Sequence, residues 1–216
     1  MSDAAESSLV LSYLGLRRAI GILGVALPFV LVVGKLALQG PGLEPSISDY
    51  YYTVMRNVFV GMLCAIGVFL MSYRGYERSD ALAGNLACVA AVGVALFPTA
   101  PAGNPTPLQQ AIGGVHYGCA AAFFLILAYF CLALFRKTDP SKPMTPRKRH
   151  RNRVYATCGL VILACLAFLA LYALALRGTA LARLDPVFWA EAIAVVAFGV
   201  SWLIKGETLL TDEAAT

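Results

Sequence analysis

Six runs of mostly apolar residues, each about as long as a bilayer is thick, recur along the chain. They fall at 20–38, 54–73, 81–97, 115–135, 155–176 and 187–204. A spanning helix needs about twenty such residues, so each run predicts one transmembrane helix. The second and fifth are rich in Val, Leu and Phe, which favours strand by propensity, but their length decides for helix. Pro28 lies within the first run and is expected to bend it.

The segments between the runs read as connections. Residues 39–52 hold Gly40, Pro41, Gly42 and Pro45, the punctuation of a loop. Residues 74–80 form a tight charged turn. The stretch 98–114 has four prolines and no charge. Residues 137–153 form a basic loop broken by Pro140, Pro143 and Pro146, and 177–186 precede the last run. The expected fold is all-α, a single domain over 1–216 built as a polytopic membrane bundle of six transmembrane helices.

Composition agrees with that pattern. The chain is 59% hydrophobic and 13% charged, against about 25% charged for a soluble domain, and its mean hydropathy is +0.73. The six cysteines all fall inside apolar runs with no CxxC pair, as small buried hydrophobes do. The acidic N-terminus and the lack of an A-x-A site argue against a cleaved signal peptide.

Charge fixes the expected orientation. Eight of the eighteen positions 136–153 are Lys or Arg. Placing this segment in the cytoplasm puts both termini there too, with 13 basic residues inside and 4 outside. By the positive-inside rule this predicts a multi-pass protein of the cell inner membrane, N-in and C-in. Anionic headgroups are the expected partners of Arg147, Lys148, Arg149, Arg151 and Arg153. Nucleic acid is not an expected partner, because no aromatics or binding motif accompany the charge. His150 in the same segment reads as solvated, and oligomerisation is left open.

Ionisable residues inside spans are costly and each calls for a reason. Arg56 and Asn57 open the second run, His116 lies at the outer end of the fourth, and Glu191 one to two turns into the sixth. Asp49 and Tyr52 lead into the second run at the same level. These six residues form the candidate ligand-binding pocket, with Arg56 and Glu191 as ion pair or ligand anchor and His116 as proton-exchanging partner. The plainer alternative has Arg56 snorkelling beside an interfacial tyrosine belt, or pairing with Glu191 only to lock helices. Lys35 reads as snorkelling, and Asn85 as an interhelical hydrogen-bonding group. Gly114 and Gly118 read as a small-xxx-small contact around His116.

Known chemistries find little support. Two histidines on opposite faces cannot build a multi-His zinc site, so no metal is expected. The G-x-S-x-G elbow, phosphate loop and dinucleotide fingerprint are absent, and no cofactor is expected. A triad of Ser48, His116 and Asp49 can be drawn, but its spacing does not support it.

The stretch Ser46-Ile-Ser-Asp-Tyr-Tyr-Tyr-Thr-Val-Met-Arg-Asn-Val-Phe-Val-Gly61 carries a resemblance, with Tyr73-Arg-Gly-Tyr76, Asp80 and Ala95-Leu-Phe-Pro-Thr99. It resembles a bacterial family of multi-span membrane proteins known only as a domain of unknown function. The resemblance implies a polytopic bacterial inner-membrane protein. It assigns no catalytic residue and draws attention to Asp49, Arg56, Asn57 and Thr99. Three functions are then expected: binding or transport of a small polar or lipid-like ligand; a membrane-embedded hydrolase or transferase at the outer leaflet; or a structural or regulatory subunit.

Overall fold

Apolar side chains that would be wrong on a soluble protein cover the outside of the bundle. Phe29, Val33, Leu36, Val89, Leu160 and Leu174 are all exposed, where lipid rather than water is the natural solvent. The computed structural model describes residues 3–73, 77–138 and 144–209, with side chains described from residue 13. Arg74, Tyr76, Pro140, Lys142 and Pro143 of the sequence argument lie outside the described residues.

Six long helices follow in order: α1 (Asp3–Leu38), α2 (Arg56–Ser72), α3 (Arg78–Leu96), α4 (Pro107–Tyr129), α5 (Pro146–Leu171) and α6 (Pro186–Lys205). Short π-helical turns extend α4 over Phe130–Leu134 and α5 over Tyr172–Leu176. No strand occurs among the described residues. Five of the six are long and apolar enough to cross a membrane, so the chain is a multi-pass integral membrane protein. The exception, α2, has 17 residues, about 25 Å at 1.5 Å per residue.

Each helix packs on the next, and α6 returns to α1. One end of the bundle carries the starts of α3 and α5 and the end of α6. The opposite end carries the 39–55 connection and the starts of α2, α4 and α6. These are called the basic end and the loop end.

Three boundaries differ from the hydropathy reading. α4 begins at Pro107 rather than 115, with Thr106 as N-cap accepting from Gln109 N–H. α5 begins at Pro146 rather than 155, with Thr145 accepting from Lys148 N–H. Both starts are Thr-Pro, a capping side chain followed by a residue pre-set for the first turn. Most of the basic segment, Arg147 to Arg153, is therefore the opening of α5 and not loop. α1 also starts earlier, at Asp3, and Pro28 lies inside it without ending it.

The core is aromatic towards the basic end. Trp202 is fully buried and packs edge-on against Tyr73 and Phe135, with ring centroids 5.0 Å apart in both pairs. The six cysteines are free thiols.

Backbone proximity joins α1 to α6. A Cβ on Gly199 would lie 2.6 Å from Val25 N and 2.8 Å from Gly21 O, so only glycine fits. By contrast, nothing lies within 4 Å of a Cβ at Gly114 or Gly118. The expected small-residue contact around His116 is therefore absent. It is Gly113, one residue earlier, that meets another backbone, at Ala100. Asn85 is exposed and hydrogen-bonds no described residue, so the interhelical bond expected there does not form.

Candidate functional site at the loop end

The 39–55 connection does not stay at the surface. It folds into the mouth of the bundle, where Ile47, Ser48, Tyr50 and Met55 are buried. Backbone placed in a low-dielectric interior needs a partner for every polar group. The first two turns of α6 supply two. Phe188 N–H, an orphan donor of the first turn, bonds to Pro45 O at 3.0 Å. Glu191, five residues into α6, accepts from Ile47 N–H through Oε2 at 2.8 Å. Within the loop, Ser46 Oγ accepts from Asp49 N–H at 3.0 Å, and a 3-10 turn covers Ser48–Tyr52.

Lys35 anchors the loop from the other side. It is buried, pairs with Glu44 at 2.6 Å and donates to Gly42 O at 2.8 Å. Snorkelling, expected from sequence, is thus replaced by an internal ion pair. The turn it grips needs positive φ at Gly40 and Gly42, 106° and 120°, which glycine adopts without strain.

Beside this plug opens a cleft of about 560 Å³. Its lining includes Glu44, Ser46, Asp49 and Tyr52 of the loop, Thr99 after α3, and Tyr117 of α4. Tyr172 and Arg177 come from the far end of α5, and Glu191 from α6. Thr99 ties two walls together, donating to Asp49 Oδ1 at 2.9 Å and accepting Tyr52 Oη on its carbonyl at 2.5 Å. Burial, then the neighbouring Tyr51 and Asp49, push the Tyr52 phenol above its usual pKa. It therefore remains a protonated donor at neutral pH. The π-helical end of α5 widens the helix where Tyr172 enters the lining, a distortion frequent at functional sites.

Of the six candidate residues, Asp49, Tyr52 and Glu191 line the cleft. Arg56 and Asn57 are exposed at the start of α2, outside the lining. Arg56 donates to Tyr51 Oη and stacks its guanidinium 4.1 Å above the Tyr51 ring. The expected Arg56–Glu191 pair does not form. Glu191 is turned to the loop backbone and Arg56 to the Tyr51 ring. His116 is buried with Nδ1 2.6 Å from Phe97 O. It faces the α3–α4 turn, and the next residue, Tyr117, faces the cleft.

Sequence reasoning missed Glu44, Ser46, Tyr117, Tyr172 and Arg177 as lining residues. Arg177 opens the 177–186 connection, and a lone cation just past an apolar run is common to many residues at helix ends. Below Glu191 the bundle axis is nearly filled. A void of about 30 Å³ remains among Leu27, Phe59, Leu63, Phe123 and Phe124, room for about one water.

Among the described residues no group of three His, Cys, Asp or Glu side chains converges to hold a metal. No protein family, curated protein or solved structure matches this chain.

Proposed function

We propose that this protein binds a small polar or lipid-like ligand in the loop-end cleft. The observation that carries the reading is the composition of that cleft: its lining brings together the acidic residues Glu44, Asp49 and Glu191, the basic Arg177, and the hydroxyl-bearing Ser46, Tyr52, Thr99, Tyr117 and Tyr172. A site with both signs and many hydroxyl groups suits a zwitterionic or polyhydroxylated ligand, such as a headgroup bearing an ammonium beside a phosphate. The basic asymmetry supports placing the loop end outside a bacterial inner membrane, with both termini in the cytoplasm. The resemblance in residues 46–61 supports the same location.

Binding is favoured over transport by the axis below Glu191, where the space narrows to a void of about 30 Å³. It is favoured over hydrolysis by the position of His116, whose Nδ1 is committed to a carbonyl away from the lining.

Native mass spectrometry of the detergent-solubilised protein with phosphatidylethanolamine tests this reading. Arg177→Gln and Asp49→Asn should each weaken retention about 10-fold or more, the value of one lost charge-assisted hydrogen bond. Arg56→Gln, outside the lining, should leave it unchanged. Equal retention by wild type and both cleft variants would refute the assignment.

A further inference from the structure

Two of the helices that frame the cleft, α4 and α5, are in close contact towards the basic end. There a Cβ on Gly159 of α5 would strike the Leu132 side chain, in the extension of α4. From that point the facing stripe of α4 runs through Ala128, Leu125, Ala121, Gly118 and Gly114, at three- and four-residue spacing. Ala128 is 2% exposed, Leu125 is 50% exposed, and both glycines are exposed. The stripe of α5 runs the opposite way along its chain, through Leu163, Leu166, Ala170 and Ala173. Its exposure rises in the same direction: Gly159 is buried, the two leucines are half-buried and the two alanines exposed. All the buried residues of α5 lie between Tyr155 and Ile162, and its π-helical extension holds none.

The two helices therefore diverge towards the loop end. Small residues on facing helices ordinarily draw the backbones together. Here a Cβ on Gly114 or Gly118 would meet nothing within 4 Å, so the small side chains leave a space rather than a contact. Tyr117 of α4 and Tyr172 of α5 both line the cleft. Their rings lie against His116 and Phe168 of their own helices. Both tyrosines belong to apolar runs, 115–135 and 155–176, so the gap between the helices opens at bilayer depth.

We propose that the cleft fills sideways from the bilayer: a phospholipid enters between α4 and α5, with its headgroup in the cleft and an acyl chain along the gap. This inference rests on the cleft being the binding site, and it names the ligand as a membrane lipid rather than a soluble molecule. Continuity carries it. The polar lining given by Tyr117, Tyr172 and Arg177 stands at the mouth of an apolar gap flanked by Ala121, Leu125 and Ala170. That is the order of groups along a phospholipid.

The test measures retention of phosphatidylethanolamine by native mass spectrometry on the full chain, with glycerophosphoethanolamine, its deacylated headgroup, as soluble competitor. Wild type should keep the lipid against millimolar competitor. Ala121→Phe with Ala170→Phe fills the gap from both sides and should weaken retention about 10-fold or more, the value of about two methylenes no longer buried. Thermal melts confirm folding. If that pair fails to fold, Gly114→Phe serves, because its added Cβ meets no neighbour. Val89→Phe, at an exposed position of α3, adds bulk elsewhere and should change retention less than twofold. Equal losses from Val89→Phe and the gap variants would overturn the proposal. Displacement by the competitor, with the gap variants binding as wild type and Arg177→Gln still weakened, would keep the cleft but overturn its filling from the bilayer. Losses in the gap variants with full retention by Arg177→Gln would instead overturn the cleft as the headgroup site, and the proposal with it.

Discussion

Gly199→Ala lowers the thermal unfolding midpoint of the detergent-solubilised protein by about 5 °C, and Gly199→Val prevents folding. The added methyl would sit 2.6 Å from Val25 N and 2.8 Å from Gly21 O. Both are main-chain atoms of α1, so no side-chain rotation relieves the clash and the helices must part. Overpacking of this kind costs about 2 kcal/mol, or roughly 5 °C for a chain of this size. Gly118→Ala supplies the contrast. Its Cβ meets nothing within 4 Å, and alanine is the better helix former by about 1 kcal/mol. The variant should melt at or slightly above wild type. A Gly199→Ala melt equal to that of Gly118→Ala would show that the α1–α6 crossing is not fixed by backbone contact.

Lys137→Met has a comparable effect through charge. Lys137 Nζ lies 3.1 Å from both Asp80 Oδ1 and Glu77 Oε2, and the Asp80 side chain is only 3% exposed. Removing the cation leaves a buried carboxylate whose other contact is the Glu77 N–H at 3.1 Å. Orphaning one member of a buried pair costs about 3 kcal/mol. Glu77→Gln, on an exposed partner, should cost well under 1 kcal/mol. Burial alone would lower the Lys137 pKa, but the hydrogen bonds to Asp80 and Glu77 outweigh it and raise the value. Stability from such a raised ammonium is complete below the unfolded-state pKa of about 10.4 and is lost as pH rises through the folded-state value. Wild type should therefore lose an alkaline component of stability that Lys137→Met lacks. Melting curves between neutral pH and pH 11 measure it, and parallel profiles for the two proteins would remove the pair from the account.

The helices were legible in the sequence because a bilayer imposes one simple demand, an apolar run of fixed length. Their starts were less so. Thr106-Pro107 and Thr145-Pro146 carry readable capping signals, but hydropathy weighs such residues as loop. The loop end was half legible. Asp49, Tyr52 and Glu191 could be placed at one depth because depth follows from residue count. Rotation about the helix axis does not, and it decides that Tyr117 lines the cleft while His116, one position earlier, faces the α3–α4 turn. Nor does hydropathy reveal that a loop folds inward. The partners of Lys35 and Glu191 are loop groups, and Lys35 joins Glu44 across a chain reversal that no run of apolar residues announces.

The inward-folded loop also orders events during synthesis. Its anchors on the far wall, Phe188 N–H and the Glu191 carboxylate, belong to α6, which leaves the ribosome after the other five described helices. Until α6 inserts, Ile47 N–H and Pro45 O have no such partners, and the walls given by Glu191 and Arg177 are not yet closed on the loop. A nascent chain halted before residue 186 would thus display the plug unseated and the cleft incomplete.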